Sequence, residues 1–347
     1  ETNSYRMSQS AQSTDVCIIG TGPVGLFAVF ECGMLGMTSH LIEALDILGG
    51  QCAALYPEKP IYDIPGFARI DGADLVDRLV GQVEPFNPTY HLGQQAISLT
   101  RGKGGRWEVE TSRGTRIDCA AVLIAAGCGA FGPNRPPIDG IEAYEALGSV
   151  QYLVKRRQDF AGKRVVIAGG GDSAVDWALN LYEVAASLSI VHRRSKFRAA
   201  PESVARLKAL VASGAIELIV PYQLASLEGN DGLMSAVVVG SLDGDERRLA
   251  ADILLPFYGL EMKLGPIAEW GLNLDRNRIL VDAATCQTNV EGVFAVGDIA
   301  SYPGKLKLIL SGFSEAAMAA HTIFSLVRPG EALHFEYSTH KGLPGVV

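Results

Sequence analysis

One glycine-interrupted pattern occurs twice in this chain, and it dictates the fold. Asp15–Gly20 (DVCIIG) is an apolar run ending in glycine, followed by Gly20-Thr-Gly22-Pro-Val-Gly25. Apolar residues at helical spacing (Val24, Leu26, Phe27, Val29, Phe30) continue to about Met37, before a second apolar run at His40–Ile42. The order repeats at Arg164–Ala168 (RVVIA): Gly169-Gly-Gly171-Asp-Ser-Ala174, a helical pattern over Ser173–Val184, and the apolar run Leu188–His192. Strand, glycine turn, helix and strand make a β-α-β unit. Two such units in 347 residues, more than one hydrophobic core usually serves, predict two nucleotide-binding domains.

Each unit is followed by segments that read as hairpin-like β structure. After the first come Tyr90–Leu99, Trp107–Glu110 and Arg116–Ile124; after the second come Ile216–Val220, Met234–Val239 and Arg247–Leu255. Glycine-rich turns at Gly102–Gly105, Arg113-Gly114 and Asp243-Gly244 separate them. From about Lys263 there remain a strand (Gly292–Val296), the pair Gly297-Asp298 and a helix over about Phe313–Leu326. Small-residue crossings near Cys128–Phe131 and Phe257–Met262 read as hinges. The expected class is α/β, with two Rossmann-like dinucleotide-binding domains. The second (129–261) is inserted into the first (13–128 and 262–347), which ends in a C-terminal extension.

Composition narrows the function. Thirty Lys and Arg against 38 Asp and Glu give a formal charge of −8, which argues against a general nucleic-acid binder. No window approaches the roughly 18 apolar residues of a membrane span. The first fourteen residues are polar, without the apolar core of a secretory signal, and Met7 is a candidate natural start. Six cysteines, at 17, 32, 52, 119, 128 and 286, form no CxxC, and the six histidines form no HxxxH or HExxH pair. Free thiols in a reducing cytoplasm are expected, and metal chemistry is not.

In the first glycine turn, Gly20 permits the tight bend, Gly22 lets a pyrophosphate approach the backbone, and Gly25 lets helix and strand pack closely. Pro23 opens the helix, whose free N–H groups and positive end face the phosphates. Glu43 ends the next strand, where a carboxylate accepts hydrogen bonds from ribose hydroxyls. In the second turn Gly169, Gly171, Asp172, Ser173 and Ala174 repeat the logic. No acid ends the following strand; His192-Arg193-Arg194 stands there instead, with Arg198 shortly after. Guanidiniums at that point suit a 2′-phosphate, so the second site is expected to take NADP(H). Hydride transfer between a nicotinamide and a flavin then places FAD in the first.

With these motifs the chain resembles the two-dinucleotide flavoprotein reductases of the thioredoxin reductase-like branch. The shared marks are Gly49-Gly50-Gln51, the segment His192-Arg193-Arg194 with Phe197-Arg198-Ala199, and Thr288-Asn289 with Gly292-Val-Phe-Ala-Val-Gly297-Asp298. The resemblance implies that Asp298 holds the FAD ribityl chain and that Gln51 lines the FAD site. Thioredoxin reductases carry a CxxC shortly before the second glycine motif, whereas Ser149–Arg157 here contains no cysteine. A dithiol relay cannot work without its thiols, so electrons must leave the flavin directly.

Two further segments are similar to the ferredoxin–NADP reductases of this type: Ala54-Leu-Tyr56-Pro-Glu-Lys59 and Phe335-Glu-Tyr337-Ser338-Thr339-His340-Lys-Gly342. That resemblance implies Tyr56 on one face of the isoalloxazine and Tyr337 on the other, with Ser338 and Thr339 at the flavin. It also implies a homodimer, and a tail whose Tyr337 must move before hydride transfer. The expected activity is electron transfer between NADPH and ferredoxin through FAD. Flavodoxin, a quinone or an external disulfide are the alternative acceptors, and a non-catalytic NADPH sensor is the rival of another class. The last helix, near Gly312-Phe313, is a candidate to direct its positive end at the flavin. Two basic clusters, Lys155 to Arg157 with Lys163 and Arg164, and Lys305 with Lys307, are candidate faces for an acidic ferredoxin.

Overall fold

In the computed structural model, which describes residues 11–333 and Gly342, the first apolar run forms strand β1 (Gln12–Ile19). Its side chains serve two cores alternately. Val16 and Ile18 pack with Leu41, Leu123 and Phe294, while Cys17 and Ile19 pack with Ile42, Val122 and Ile124 on the opposite face. Burial on both faces explains why the run is apolar without alternation. Each fully buried aliphatic side chain contributes about 1.5–3 kcal/mol relative to exposure.

The chain divides into two compact units, Glu1–Ala130 with Met262–Val347, and Phe131–Glu261. In the first, β1 leads through helix α1 (Pro23–Met34) to β2 (Ser39–Ile42), then to short helix α2 (Gly50–Ala54) and helix α3 (Gly72–Val83). Strands β3 (Thr89–His91), β4 (Ala96–Arg101), β5 (Trp107–Thr111) and β6 (Arg116–Ile124) follow. The order β3-β2-β1-β6 is parallel throughout, and β6 passes on to an antiparallel β5 and β4.

The second unit repeats the design. Strand β7 (Arg164–Ala168), helix α4 (Asp172–Leu181), β8 (Ser187–Val191), helix α5 (Pro201–Ala212) and β9 (Glu217–Ile219) come first. An antiparallel meander, β10 (Gln223–Asn230), β11 (Leu233–Gly240) and β12 (Glu246–Ala250), precedes β13 (Ile253–Pro256). The parallel order is β9-β8-β7-β13. Val237 and Val239 of the meander share a core with Val166, Ala168 and Leu254 of the parallel sheet. The chain then returns to the first unit, where β14 (Val293–Ala295) pairs parallel with β6 and helix α6 (Ile309–Val327) packs on α1.

Several local expectations change. Tyr90–Leu99 is not one hairpin strand: Gly93, at φ +60°, breaks it, and its N–H bonds the Leu45 carbonyl, so β3 joins the parallel sheet and β4 starts afresh. Arg247–Leu255 likewise splits where the Asp252 carboxylate binds Arg164, carrying β13 from the meander into the parallel sheet. Ile216–Val220 becomes a parallel edge strand instead of a hairpin arm. The last helix begins at Ile309, a turn earlier than expected. Helices α3 and α5 were not anticipated, although Leu75, Val76, Leu79 and Val83 mark the buried face of α3. Among the described residues, no helix is long and apolar enough to cross a membrane.

Candidate functional sites

The first glycine turn separates three roles. Gly20 sits at φ +104°, and a Cβ there would lie 2.4 Å from the Ala125 carbonyl oxygen. A Cβ on Gly25 would lie 2.1 Å from the Gly20 carbonyl oxygen, so only glycine lets α1 approach β1 this closely. Gly22 differs. Its φ of −63° suits any residue, and a Cβ there would meet nothing within 4 Å. The space above Gly22 and Pro23 at the start of α1 therefore fits a pyrophosphate, with the helix N–H groups as donors.

Glu43 stands at the end of β2, 8% exposed. Its Oε2 accepts from the Thr21 N–H (2.9 Å) and hydroxyl (2.8 Å), and its Oε1 accepts from the Leu45 N–H (3.0 Å). A carboxylate has about four acceptor positions, so Oε1 keeps one for a ribose hydroxyl. Thr21, fully buried, was missed in the sequence; its signal is its place between the first two glycines, facing the acid that ends the next strand. The Gly49 N–H bonds the Thr21 carbonyl (3.0 Å), and Gly50 packs on Gly22, which seats α2 beside the first glycine turn.

From α2 the side chains converge. The Gln51 amide reaches Gly127, and the Cys52 thiol lies beside the Tyr56 phenol. Burial pushes the Cys52 thiol up to about 11, with the nearby Asp298 carboxylate adding to the rise. The half-buried Tyr56 phenol is raised, first by burial and then by Cys52, Asp298 and Cys128. Asp298, in the turn Gly297–Ile299 after β14, thus lies within electrostatic reach of Tyr56 and Cys52. This grouping fits the polyol and ring of a flavin: an acceptor for hydroxyls beside an aromatic face. Tyr337, Ser338 and Thr339 lie outside the described residues.

His40 and His91, on adjacent strands β2 and β3, meet with Nδ1 and Nε2 3.1 Å apart, and the His91 carbonyl accepts the Glu43 N–H (3.0 Å). Burial lowers both imidazoles, and His91 lowers His40 further. The unfolded chain then binds more protons than the folded one, so stability falls as pH drops below about 6.5. Thermal unfolding should shift to lower temperature between pH 7 and 5, less so in His91→Asn. An equal shift in the variant would remove the pair as its cause.

The second turn follows the same plan. Gly169, at φ +154°, would place a Cβ 2.6 Å from the Phe257 carbonyl oxygen, whereas a Cβ on Gly171 would meet nothing within 4 Å. Gly171 caps α4, with Asp172 and Ser173 exposed in its first turn and Ala174 buried behind them. The Asp172 carboxylate accepts the Ala200 N–H (3.0 Å), and the Arg198 N–H bonds the Gly170 carbonyl (2.7 Å), folding the segment after β8 back onto the turn. His192 lies under Gly170, where a Cβ would come within 2.3 Å of its ring, and meets the Phe197 ring at a tilt of 37° with centroids 5.2 Å apart. Burial lowers its pKa, so it supports the turn as a neutral ring. Arg193, Arg194 and Arg198 are exposed, and none forms an ion pair among the described residues.

The basic clusters look different in three dimensions. Arg156 pairs with Asp159, Arg157 with Glu183 and Arg164 with Asp252, so most of the first cluster is neutralised within the protein. The Lys305 side chain is 4% exposed and paired with Glu315, which takes its ammonium away from the surface; Lys307 is exposed.

Residues 14–322 match the pyridine nucleotide-disulphide oxidoreductase family model. A ferredoxin–NADP reductase of Paramagnetospirillum magneticum is 62% identical over 95% of this chain and 98% of its own length. One from Rhodospirillum rubrum is 59% identical, covering 98% of this chain and 99% of its own. Among solved structures, Lactococcus lactis thioredoxin reductase is similar, with a TM-score of 0.78 and 26% identity over 90% of this chain and 99% of that one.

Proposed function

The chain belongs to the pyridine nucleotide-disulphide oxidoreductase family, and we infer that it is an FAD-dependent ferredoxin–NADP reductase that works without a thiol relay. The observation carrying this reading is the pair of open phosphate turns, at Gly22 and Gly171, in a chain with no CxxC. The names of its relatives agree with it.

Bound FAD supplies the exchange between a two-electron hydride and single electrons. The chain's own residues hold and orient. Gly22 and the first turn of α1 receive the FAD pyrophosphate, Glu43 a ribose hydroxyl, and Asp298 the ribityl chain. Tyr56 offers the isoalloxazine an aromatic face, a contact of about 0.5–1.5 kcal/mol beyond burial. Gly171, Ser173 and the start of α4 take the NADPH diphosphate, and Arg193 and Arg194 take its 2′-phosphate. Arg198, tied by its backbone to Gly170, brings a third cation to the same turn.

The electron acceptor is ferredoxin, and the working form is a homodimer in the cytoplasm, where six free thiols suit a reducing setting. Comparing NADPH-driven reduction of ferredoxin, flavodoxin and a disulfide protein by one purified preparation tests the reading. Ferredoxin should be reduced fastest, and anaerobic NADPH should bleach the flavin absorbance. Faster turnover of the disulfide acceptor, or a preparation without flavin, would overturn it.

A further inference from the structure

The buried ion pair at the start of α6 has no part in the roles assigned above. Glu315 is fully buried, and the side chains of Lys305 and Glu315 are 4% and 1% exposed. Glu315 Oε2 accepts the Gly297 N–H at 2.7 Å; Oε1 accepts the Tyr302 hydroxyl at 2.7 Å and the Lys305 ammonium. Glu315 is the one carboxylate in the apolar sequence of α6.

Burying two charges is a poor route to stability alone, since a well-packed apolar pair of similar volume often does as well. The geometry of this pair is specific. One carboxylate oxygen fixes the peptide leading into Asp298, and the other fixes the Tyr302–Lys305 loop that feeds α6. Gly297 is held at φ +75°. Gly312 of α6 lies so close that its Cβ would stand 3.4 Å from the Gly297 Cα and 2.4 Å from a Val24 methyl of α1. The carboxylate therefore ties the Asp298 turn to α6, where α6 also meets the helix of the first phosphate turn.

We propose that Glu315, neutralised by Lys305 and held by the Tyr302 hydroxyl, is a positioning residue that sets Asp298 for FAD and balances the charge beside it. This rests on the reading that Asp298 holds the FAD ribityl chain. Charge gives a readout that packing alone would not. Glu315→Gln keeps an acceptor for the Gly297 N–H but leaves Lys305 unbalanced, so the flavin midpoint potential should rise. Lys305→Met leaves Glu315 unbalanced, so the potential should fall. The double variant should return close to the wild-type value.

Affinity supplies the second readout. Glu315→Ala, which strands the Gly297 N–H, should weaken FAD binding to the apoprotein about tenfold or more, whereas Glu315→Gln should weaken it less. Shifts of the same sign in both single variants, or FAD affinity in Glu315→Ala equal to wild type, would overturn the proposal. Should Glu315→Gln fail to fold, the double variant set against Lys305→Met reports the same charge difference. Asp298→Ala separates the premise from the proposal: unchanged FAD affinity there would sink the ribityl assignment itself.

Discussion

Gly22→Ala is expected to give a folded protein that binds FAD about a hundredfold more weakly. The backbone at Gly22, φ −63° and ψ 175°, is open to any L-residue, and the added methyl meets no protein atom within 4 Å. Its cost to the fold is that of a changed helix cap, about 1 kcal/mol or less. The methyl would instead occupy the space where a pyrophosphate meets the first N–H groups of α1. Losing about 2.7 kcal/mol of charge-assisted hydrogen bonding corresponds to a hundredfold in affinity. Gly25→Ala should fail differently, because its methyl would lie 2.1 Å from the Gly20 carbonyl oxygen and push α1 off β1. Fluorescence titration of each apoprotein with FAD, alongside thermal unfolding by circular dichroism, distinguishes the two. A Gly22→Ala protein that retains wild-type FAD affinity would take this glycine out of the site.

That contrast shows why some of the molecule was legible in its sequence. A glycine between an apolar strand and an amphipathic helix has few structural uses, so the units around Gly20–Gly25 and Gly169–Ala174 announce both the parallel sheets and the tight turns that open their helices. Glu43 was legible because the length of a β-α-β unit brings the end of β2 beside the first turn. Charge partners were not. Arg164 reads as part of a basic run, yet its carboxylate is Asp252, 88 residues away. Lys305 reads as a surface cation, yet α6 folds Glu315 over it and excludes water. The split of Tyr90–Leu99 was also hidden, because the hydrogen bond that breaks the strand at Gly93 is made to Leu45. Local pattern identifies elements; long-range pairing decides which edge a strand joins and which charges remain available.

The arginines after β8 are the charges that do remain available, and their removal should produce the largest change in coenzyme use. Arg193 and Arg194 are exposed and without an ion pair among the described residues, beside a turn that Arg198 closes through its backbone. Charge-assisted hydrogen bonds contribute about 1.5–3 kcal/mol each, and solvent exposure places these toward the lower end. Arg193→Ala combined with Arg194→Ala should therefore raise the KM for NADPH about a hundredfold. Because the 2′-phosphate lies far from the reacting carbon of the nicotinamide, ground-state and transition-state binding should suffer alike, leaving kcat nearly unchanged. The KM for NADH, which has no 2′-phosphate, should stay within about twofold, and the salt dependence of the NADPH KM should flatten as two cations are lost. Steady-state kinetics with both coenzymes at two ionic strengths reads all three quantities. Equal losses for NADH and NADPH would mean that these side chains support the turn or the diphosphate instead of reading the 2′-phosphate, and the specificity for NADPH would then have to come from elsewhere in the second unit.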